Sequence, residues 1–154
     1  MEKGILGTNL VTQIGIIVKD IEASSRRFAD FFGVDVPQWF ETDEYGKAMT
    51  AFRGEPTEAR AKLVFFNCGQ LDIELIEPDG NPSTWREFLD THGEGVHHIA
   101  FVIKGMKEKT LALEQKGFPL VQKGEYTGGR YAYIDTSHEL HTIIELLEND
   151  GEQQ

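Results

Sequence analysis

Residues 13–21 and 98–106 spell one strand twice. Gln13-Ile14-Gly15-Ile16-Ile17-Val18-Lys19-Asp20-Ile21, set under His98-Ile99-Ala100-Phe101-Val102-Ile103-Lys104-Gly105-Met106, matches at every apolar position and brings Gln13 onto His98. A second pair, Asp72-Ile73-Glu74-Leu75-Ile76-Glu77-Pro78 and Ile143-Ile144-Glu145-Leu146-Leu147-Glu148-Asn149, brings Glu74 onto Glu145. Each run is short, rich in β-branched or aromatic residues and bounded by glycine or polar residues, which predicts buried strands rather than helices. Two copies of such a set make a paired module, not a solenoid.

A histidine or glutamate inside an apolar strand must find a partner, because an unpaired buried polar group costs about 2–7 kcal/mol. For one pair alone, a hydrogen-bonded core histidine and an exposed glutamate would suffice. The duplication points further. Two βαβββ halves related by a pseudo-twofold axis can each curl a sheet around half of one cavity, with the first and last strand of each half pointing a side chain inward. Gln13, Glu74, His98 and Glu145 then offer one amide oxygen, one imidazole and two carboxylates to a single divalent cation. Hard oxygens with one nitrogen suit zinc, nickel, cobalt, manganese or iron, and the absence of thiolates disfavours a closed structural zinc site. His97 neighbours His98, and strand alternation sends adjacent residues to opposite faces, so the repeat selects His98 for the cavity.

Composition narrows the function. The formal charge is −11 and the sequence pI is near 4.8. That argues against sequence-independent nucleic-acid binding, which draws on phosphate neutralisation by Lys and Arg, and against attraction to anionic membranes. No run approaches the ~18 apolar residues of a membrane helix, and the first residues carry no secretory signal pattern. Cys68 is the one cysteine, so no intrachain disulfide forms and a cytoplasmic location is expected. The basic residues that could meet an anionic substrate are scattered: Arg53, Arg60, Lys62, Lys104, Lys107, Lys123 and Arg130.

In chain order, a strand at 13–18 leads through Asp20 as N-cap to a helix over 21–32 closed by Gly33, with Ile21, Phe28, Phe31 and Phe32 on its apolar face. Val34–Phe40 reads as a strand interrupted at Pro37. Residues 42–57 read as a plain surface loop, with folding over a site as the alternative. Strands at 61–67 and 71–76 close the first half. Pro78-Asp79-Gly80-Asn81-Pro82 is a linker, followed by a short helix over 83–91. The second half repeats the order: strand 96–103, helix 106–116, strand 118–123, loop 124–129, strand 130–135 and strand 141–147. A polar tail from Asn149 is expected to fray. The expected organisation is a single α+β domain, 1–154, with βαβββ modules at 9–78 and 95–148 joined by 79–94.

The stretches around Gln13, Glu74-Leu75-Ile76-Glu77-Pro78, Gly93-Glu94-Gly95-Val96-His97-His98-Ile99-Ala100-Phe101 and Ile144-Glu145-Leu146-Leu147-Glu148 resemble the four ligand-bearing strands of the vicinal oxygen chelate superfamily, over roughly residues 12–148. The resemblance implies the glyoxalase-like fold, one divalent metal per site (Zn, Ni, Co or Mn), a small-molecule substrate and a homodimer. Within the superfamily, the linker, the helix carrying Phe88-Leu89 and Gly-Glu-Gly-Val-His-His-Ile-Ala are most similar to methylmalonyl-CoA epimerase. The ligand set Gln, Glu, His, Glu is instead similar to one form of glyoxalase I (lactoylglutathione lyase); the epimerases usually carry histidine at the position of Gln13. Glyoxalase I uses an arginine and an asparagine beside its first two ligands, and these positions hold Ile17 and Pro78.

Both resemblances imply removal of a proton α to a carbonyl with the metal stabilising the enolate. The acyl-CoA or thiol-adduct substrate would give its proton to Glu145, with Glu74 as counterpart across the pseudo-twofold. His141, Arg130 and Lys123 are the candidate substrate contacts. Tyr133 and Trp39 could also contact substrate, though aromatics in strands are usually core. The rival class is a metal-free binding protein like the bleomycin-resistance proteins, in which loss of the metal ligands is expected. An extradiol dioxygenase would need two histidines and one glutamate, which Gln13 and Glu74 do not supply.

Overall fold

The computed structural model describes residues 4–151, and the expected frayed end beyond Gly151 lies outside the described residues. Its elements are β1 (Gln13–Ile17), α1 (Ile21–Phe32), β2 (Phe40–Glu41), α2 (Tyr45–Ala48), β3 (Ala51–Phe52), β4 (Glu55–Pro56), β5 (Ala61–Asn67), β6 (Asp72–Pro78), α3 (Thr84–His92), β7 (Gly95–Val102), α4 (Met106–Gln115), β8 (Leu120–Tyr126), β9 (Gly129–Ile134), α5 (Ser137–Leu140) and β10 (Ile143–Asn149). Among the described residues the strands form one mixed, curled sheet in the order β2-β5-β6-β1-β7-β10-β9-β8-β3-β4. The middle of that order is a palindrome of roles. β1 lies parallel to β6 and β7 parallel to β10, while β1 and β7 meet antiparallel at the centre.

The two faces bury different sets. On the convex face α1 packs over Val18, Val64, Phe66 and Leu75, and α4 over Phe101, Ile103, Ile134 and Leu146. The concave face gathers Ile17, Ala61, Ile76, Trp85, Val121 and Tyr133, with α3 closing it from below. The candidate ligand side chains therefore point into the curl while alternate residues hold the helices.

Helix boundaries follow local chemistry. Asp20 accepts from the Ala23 amide at 3.0 Å, and Gly33 ends α1 in the left-handed region at φ 73°, where glycine alone carries no Cβ penalty. The Glu77 carboxylate accepts from the Ile21 amide at 2.8 Å. Its repeat counterpart Glu148 accepts from Gly105 at the start of α4, also at 2.8 Å. Ser83 caps α3 by accepting from Arg86 at 2.9 Å.

Four sequence expectations are corrected. Val34–Phe40 is not a strand: only Phe40–Glu41 pairs, with β5, and Val34 and Val36 stand about half exposed. Phe31 is off the packed face of α1, 86% exposed, while the small Ser24 and Ser25 are buried there instead. The loop expected over 124–129 is shorter, because β8 continues through Gly124 to Tyr126 with the Tyr131 ring lying where a Cβ at Gly124 would be. Residues 42–57 are no plain surface loop. They hold α2 and the β3–β4 hairpin, and β3 crosses to pair with β8 at the far edge of the second half.

Candidate metal centre

Sheet register assembles the site. Gly15 sits opposite both Glu74 and His98, and Glu145 lies opposite Ala100, which is itself opposite Gln13. The four predicted ligands thus occupy two adjacent rows at the centre of the sheet. Glu74, His98 and Glu145 are buried, and their ligand atoms lie within 4.8 Å of one another. His98 Nε2 is 3.0 Å from Glu145 Oε1 and 3.3 Å from Glu74 Oε1. Gln13 Oε1 is 3.4 Å from His98 Nε2.

The Gln13 amide decides how the cluster can be used. Its inward end lies 3.1 Å from Glu74 Oε1 and 3.0 Å from Glu145 Oε1. Oxygen inward, it meets only acceptors and needs a cation among them. Turned about, the NH2 donates to both carboxylates. Ligands held about 2.1 Å from a common ion stand roughly 3.0–3.4 Å apart in octahedral or tetrahedral geometry, which is the spacing of His98 Nε2 and of the Gln13 amide from the other atoms of the cluster. The donor set of two carboxylates, one amide oxygen and one imidazole therefore fits a divalent ion, and Gln13, Glu74, His98 and Glu145 would hold it.

Electrostatics at the cluster are tightly bound together. Burial disfavours the imidazolium of His98, but Glu145 and Glu74 together outweigh it and raise the group to about 9. Glu74 is raised above the ordinary carboxylate range by burial, and further by Glu145, against the opposing hydrogen bond from His98. Burial and the facing carboxylate thus favour a proton on Glu74, the carboxylates favour one on His98, and a cation at the cluster would take the place of those protons.

Two supporting residues escaped the sequence reading. Gly15 is one: a Cβ there would collide with the His98 ring, so the ring lies flat across a strand that has no side chain at that point. His97 is the other, and its position corrects the strand-alternation argument. Register shifts between Gly15 and Ile16, with His98 opposite Gly15 but Val96 opposite Ile16, which makes His97 the extra residue of a β-bulge. Both imidazoles consequently lie on the concave side. Their Nδ1 atoms are 2.9 Å apart, and both rings contact Tyr133. The Gly95-Val96-His97-His98 run carried no period-2 signal that could have disclosed this.

Above the cluster opens a cavity of about 620 Å3, with Gln13, Glu74 and Glu145 at its foot and Trp85, Tyr131 and Tyr133 along its wall. Trp85 Nε1 donates to the Tyr133 hydroxyl at 2.9 Å, and Gln122 Nε2 donates to the Tyr131 hydroxyl at 2.9 Å. Burial, reinforced by Glu145 and Glu74, keeps Tyr133 a neutral phenol. Thr42, Asp43, Ala48 and Thr50 from the crossing segment also border the cavity, so 42–57 folds over the site. The remaining lip is acidic, with Glu41, Asp72 and Glu125, and no lysine or arginine lines it among the described residues.

The three candidate substrate contacts are not brought to this cavity. Arg130 is held by Asp150 at 2.6 Å and Glu148 at 3.1 Å. Lys123 lies on β8 opposite Ala51, and is exposed. His141 ends α5 at φ 63° and lines a second cavity. Trp39 is turned to Glu22, to which its Nε1 donates at 3.1 Å.

Comparison with known proteins agrees with this architecture. The chain is 31% identical over 99 residues to the uncharacterized protein YqjC of Bacillus subtilis (strain 168), an overlap of 62% of this chain and 71% of that one. It is 23% identical over 107 residues to the mitochondrial methylmalonyl-CoA epimerase of Mus musculus, covering 69% of this chain and 52% of the epimerase. The methylmalonyl-CoA epimerase of Mycobacterium tuberculosis superposes with a TM-score of 0.63 over 97% of this chain and 92% of its own, at 20% identity, a likeness of fold. With the profile of the Glyoxalase/Bleomycin resistance protein/Dioxygenase superfamily matching residues 12–133, the chain belongs to that superfamily.

Proposed function

We propose that the protein is a metal-dependent isomerase or epimerase that removes and returns a proton on the carbon α to a carbonyl, with an acyl-CoA thioester of the methylmalonyl type as substrate. The observation that carries this reading is the convergence of Gln13, Glu74, His98 and Glu145 at the foot of the cavity. When bound there, a divalent metal supplies electrostatic stabilisation of the negative charge that develops on the substrate oxygen. Glu145 takes the α-proton and Glu74, reached from the other half of the molecule, returns one on the opposite face. Trp85, Tyr131 and Tyr133 wall the reacting carbon from water. The acidic lip requires the polyanionic part of a coenzyme thioester to lie outside the cavity. A homodimer, as the resemblance implies, in a reducing cytoplasm, as the single Cys68 suggests, completes the reading.

Parallel assays decide it. Protein loaded with zinc, nickel, cobalt or manganese is offered (R)- and (S)-methylmalonyl-CoA and, separately, the methylglyoxal–glutathione hemithioacetal, while solvent deuterium entering the α-carbon is followed. Epimerisation of the thioester is expected, and Glu145→Gln should lower exchange at least about 100-fold while metal stays bound. Turnover of the hemithioacetal alone would transfer the assignment to glyoxalase chemistry. Full exchange in Glu145→Gln would make Glu74 the base. Full metal stoichiometry in His98→Ala would remove the metal centre from these residues.

A further inference from the structure

The cavity above the candidate metal centre is walled by both halves of the repeat, and the two walls differ in chemistry. Phe65 lies opposite Glu74 in the sheet as Tyr133 lies opposite Glu145, and Leu63 lies opposite Ile76 as Tyr131 lies opposite Leu147. The pseudo-twofold thus sets Phe65 against Tyr133 and Leu63 against Tyr131. The phenols of the second half are engaged, accepting from Trp85 and Gln122. Their counterparts in the first half have no polar side-chain atom.

Strand alternation fixes which way the apolar pair looks. Val64 and Phe66 lie under α1 on the convex face, so Leu63 and Phe65 face the curl, where both border the cavity. Both keep accessible surface, as does Leu147, two residues beyond Glu145 on the same face of β10 and also at the cavity. β2 adds Phe40, opposite Leu63, with its ring centroid 6.0 Å from that of Phe65 and the planes 23° apart. Phe40 is 50% exposed and lines the same cavity. Neighbouring strands run about 4.8 Å apart and alternate residues of one strand about 6.8 Å, so this apolar surface starts beside Glu74 and Glu145, next to the carbon on which they act. Size points the same way. The cavity of about 620 Å3 lies mid-range among sites of roughly 300–1,000 Å3 that bury drug-sized ligands, whereas a methylmalonyl group has only about seven non-hydrogen atoms.

The arms of the substrate divide accordingly, a division that rests on the reaction proposed above. The thioester leads out past the acidic lip, and its carbonyl and the α-carboxylate are the oxygens suited to a cation at the cluster. The arm left over is the α-substituent. We propose that Phe40, Leu63, Phe65 and Leu147 form a subsite for an apolar α-substituent longer than methyl, so that the preferred substrate is a longer 2-alkylmalonyl thioester.

The test has two arms, both on the full chain. In the first, zinc-loaded protein is given 2-methyl-, 2-ethyl- and 2-butylmalonyl thioesters of coenzyme A and of N-acetylcysteamine, and solvent deuterium entering the α-carbon is followed. Each added methylene should raise kcat/KM about fourfold with either thiol. In Leu63→Ser the butyl-to-methyl ratio should fall about tenfold, and that ratio does not depend on how much of the variant is folded. In the second arm, binding of the neutral 2-methyl- and 2-butylmalonamide is followed through the 13C-methyl resonances of Leu63 and Leu147, without zinc and without turnover. The butyl compound should bind more than about tenfold tighter and shift both residues. Equal binding of the two amides, or exchange with no gain from methyl to butyl, would overturn the proposal. So would a gain that vanishes with the N-acetylcysteamine esters, which would give the wall to the pantetheine arm of the coenzyme. Shifts of the same resonances with protein concentration alone would give it to a second copy of the chain and overturn the proposal equally. If no thioester exchanges while the butyl amide binds as expected, the proposed reaction fails and the subsite stands.

Discussion

Gly15 is the residue that gives His98 room. Because its missing side chain is where the imidazole lies, Gly15→Ala should push His98 out of the cluster. The expected result is loss of stoichiometric metal by elemental analysis, with a destabilisation of about 1–3 kcal/mol in denaturant titration, as for other overpacked cores. Retention of full metal content in that variant would show that the ring has another place to go. The protons of the cluster make a second residue-level prediction. Glu145 and Glu74 overcome burial to raise His98 from 6.5 to about 9 in the metal-free protein, so its contribution to stability is complete below pH 6.5 and is lost as pH rises through about 9. Glu74, raised by burial, acts in the same direction above its ordinary range. The metal-free protein should therefore melt at lower temperature at pH 9 than at pH 6.5. Zinc should abolish most of that dependence, and its uptake at pH 7 should release protons, measurable by calorimetry in buffers of different ionisation enthalpy.

At the scale of the elements, the same device appears in both halves. Three residues after each candidate ligand glutamate a second glutamate, Glu77 or Glu148, accepts from the first amide of α1 or from Gly105 at the head of α4. Strand and helix are thus tied together in each half, and anionic oxygen meets the positive end of the helix. Glu77→Ala should lower stability by about 1 kcal/mol without changing metal content, as thermal melting with and without zinc would reveal. The repeat that aligned Glu77 with Glu148 carried this information, but the sequence does not say which amide a carboxylate will reach. Legibility ended where pairing stopped being regular. Gln13, Glu74, His98 and Glu145 could be aligned because the repeat pairs them, and regular register from Gln13 to Gly15 and along β6 and β10 brings them into adjacent rows. His97 was misassigned because a bulge adds one residue to the ladder exactly where the histidines stand, so parity no longer reports the face. Phe31 was misread because a 3.6-residue period allows a flank position to look like part of the stripe.

For the whole molecule, the crossing of β3 to β8 explains a further limit of sequence reading. Residues 42–57 carry no strong periodicity, and their structure comes from an edge built by strands far along the chain. The same crossing places Thr42, Asp43 and Thr50 against the cavity and completes an entrance whose charge is opposite to the one the scattered basic residues suggested. Arg130 is consumed by carboxylates, and Lys123 stands away from the lip. A chain of formal charge −11 with an acidic entrance repels a polyanionic substrate at long range. Screening weakens that repulsion, since the Debye length falls from about 30 Å at 0.01 M salt to about 8 Å at 0.15 M. For methylmalonyl-CoA, kcat/KM should consequently rise with ionic strength over this interval, by a factor of about two to ten, chiefly through KM. A neutral acyl thioester lacking the nucleotide should show no such rise. A fall with salt for the coenzyme thioester would mean that basic side chains outside the cavity lining guide the phosphates after all, with Lys104 or Lys123 the first to substitute. Salt dependence thus separates a substrate that merely fits the metal centre from one the whole surface is built to receive.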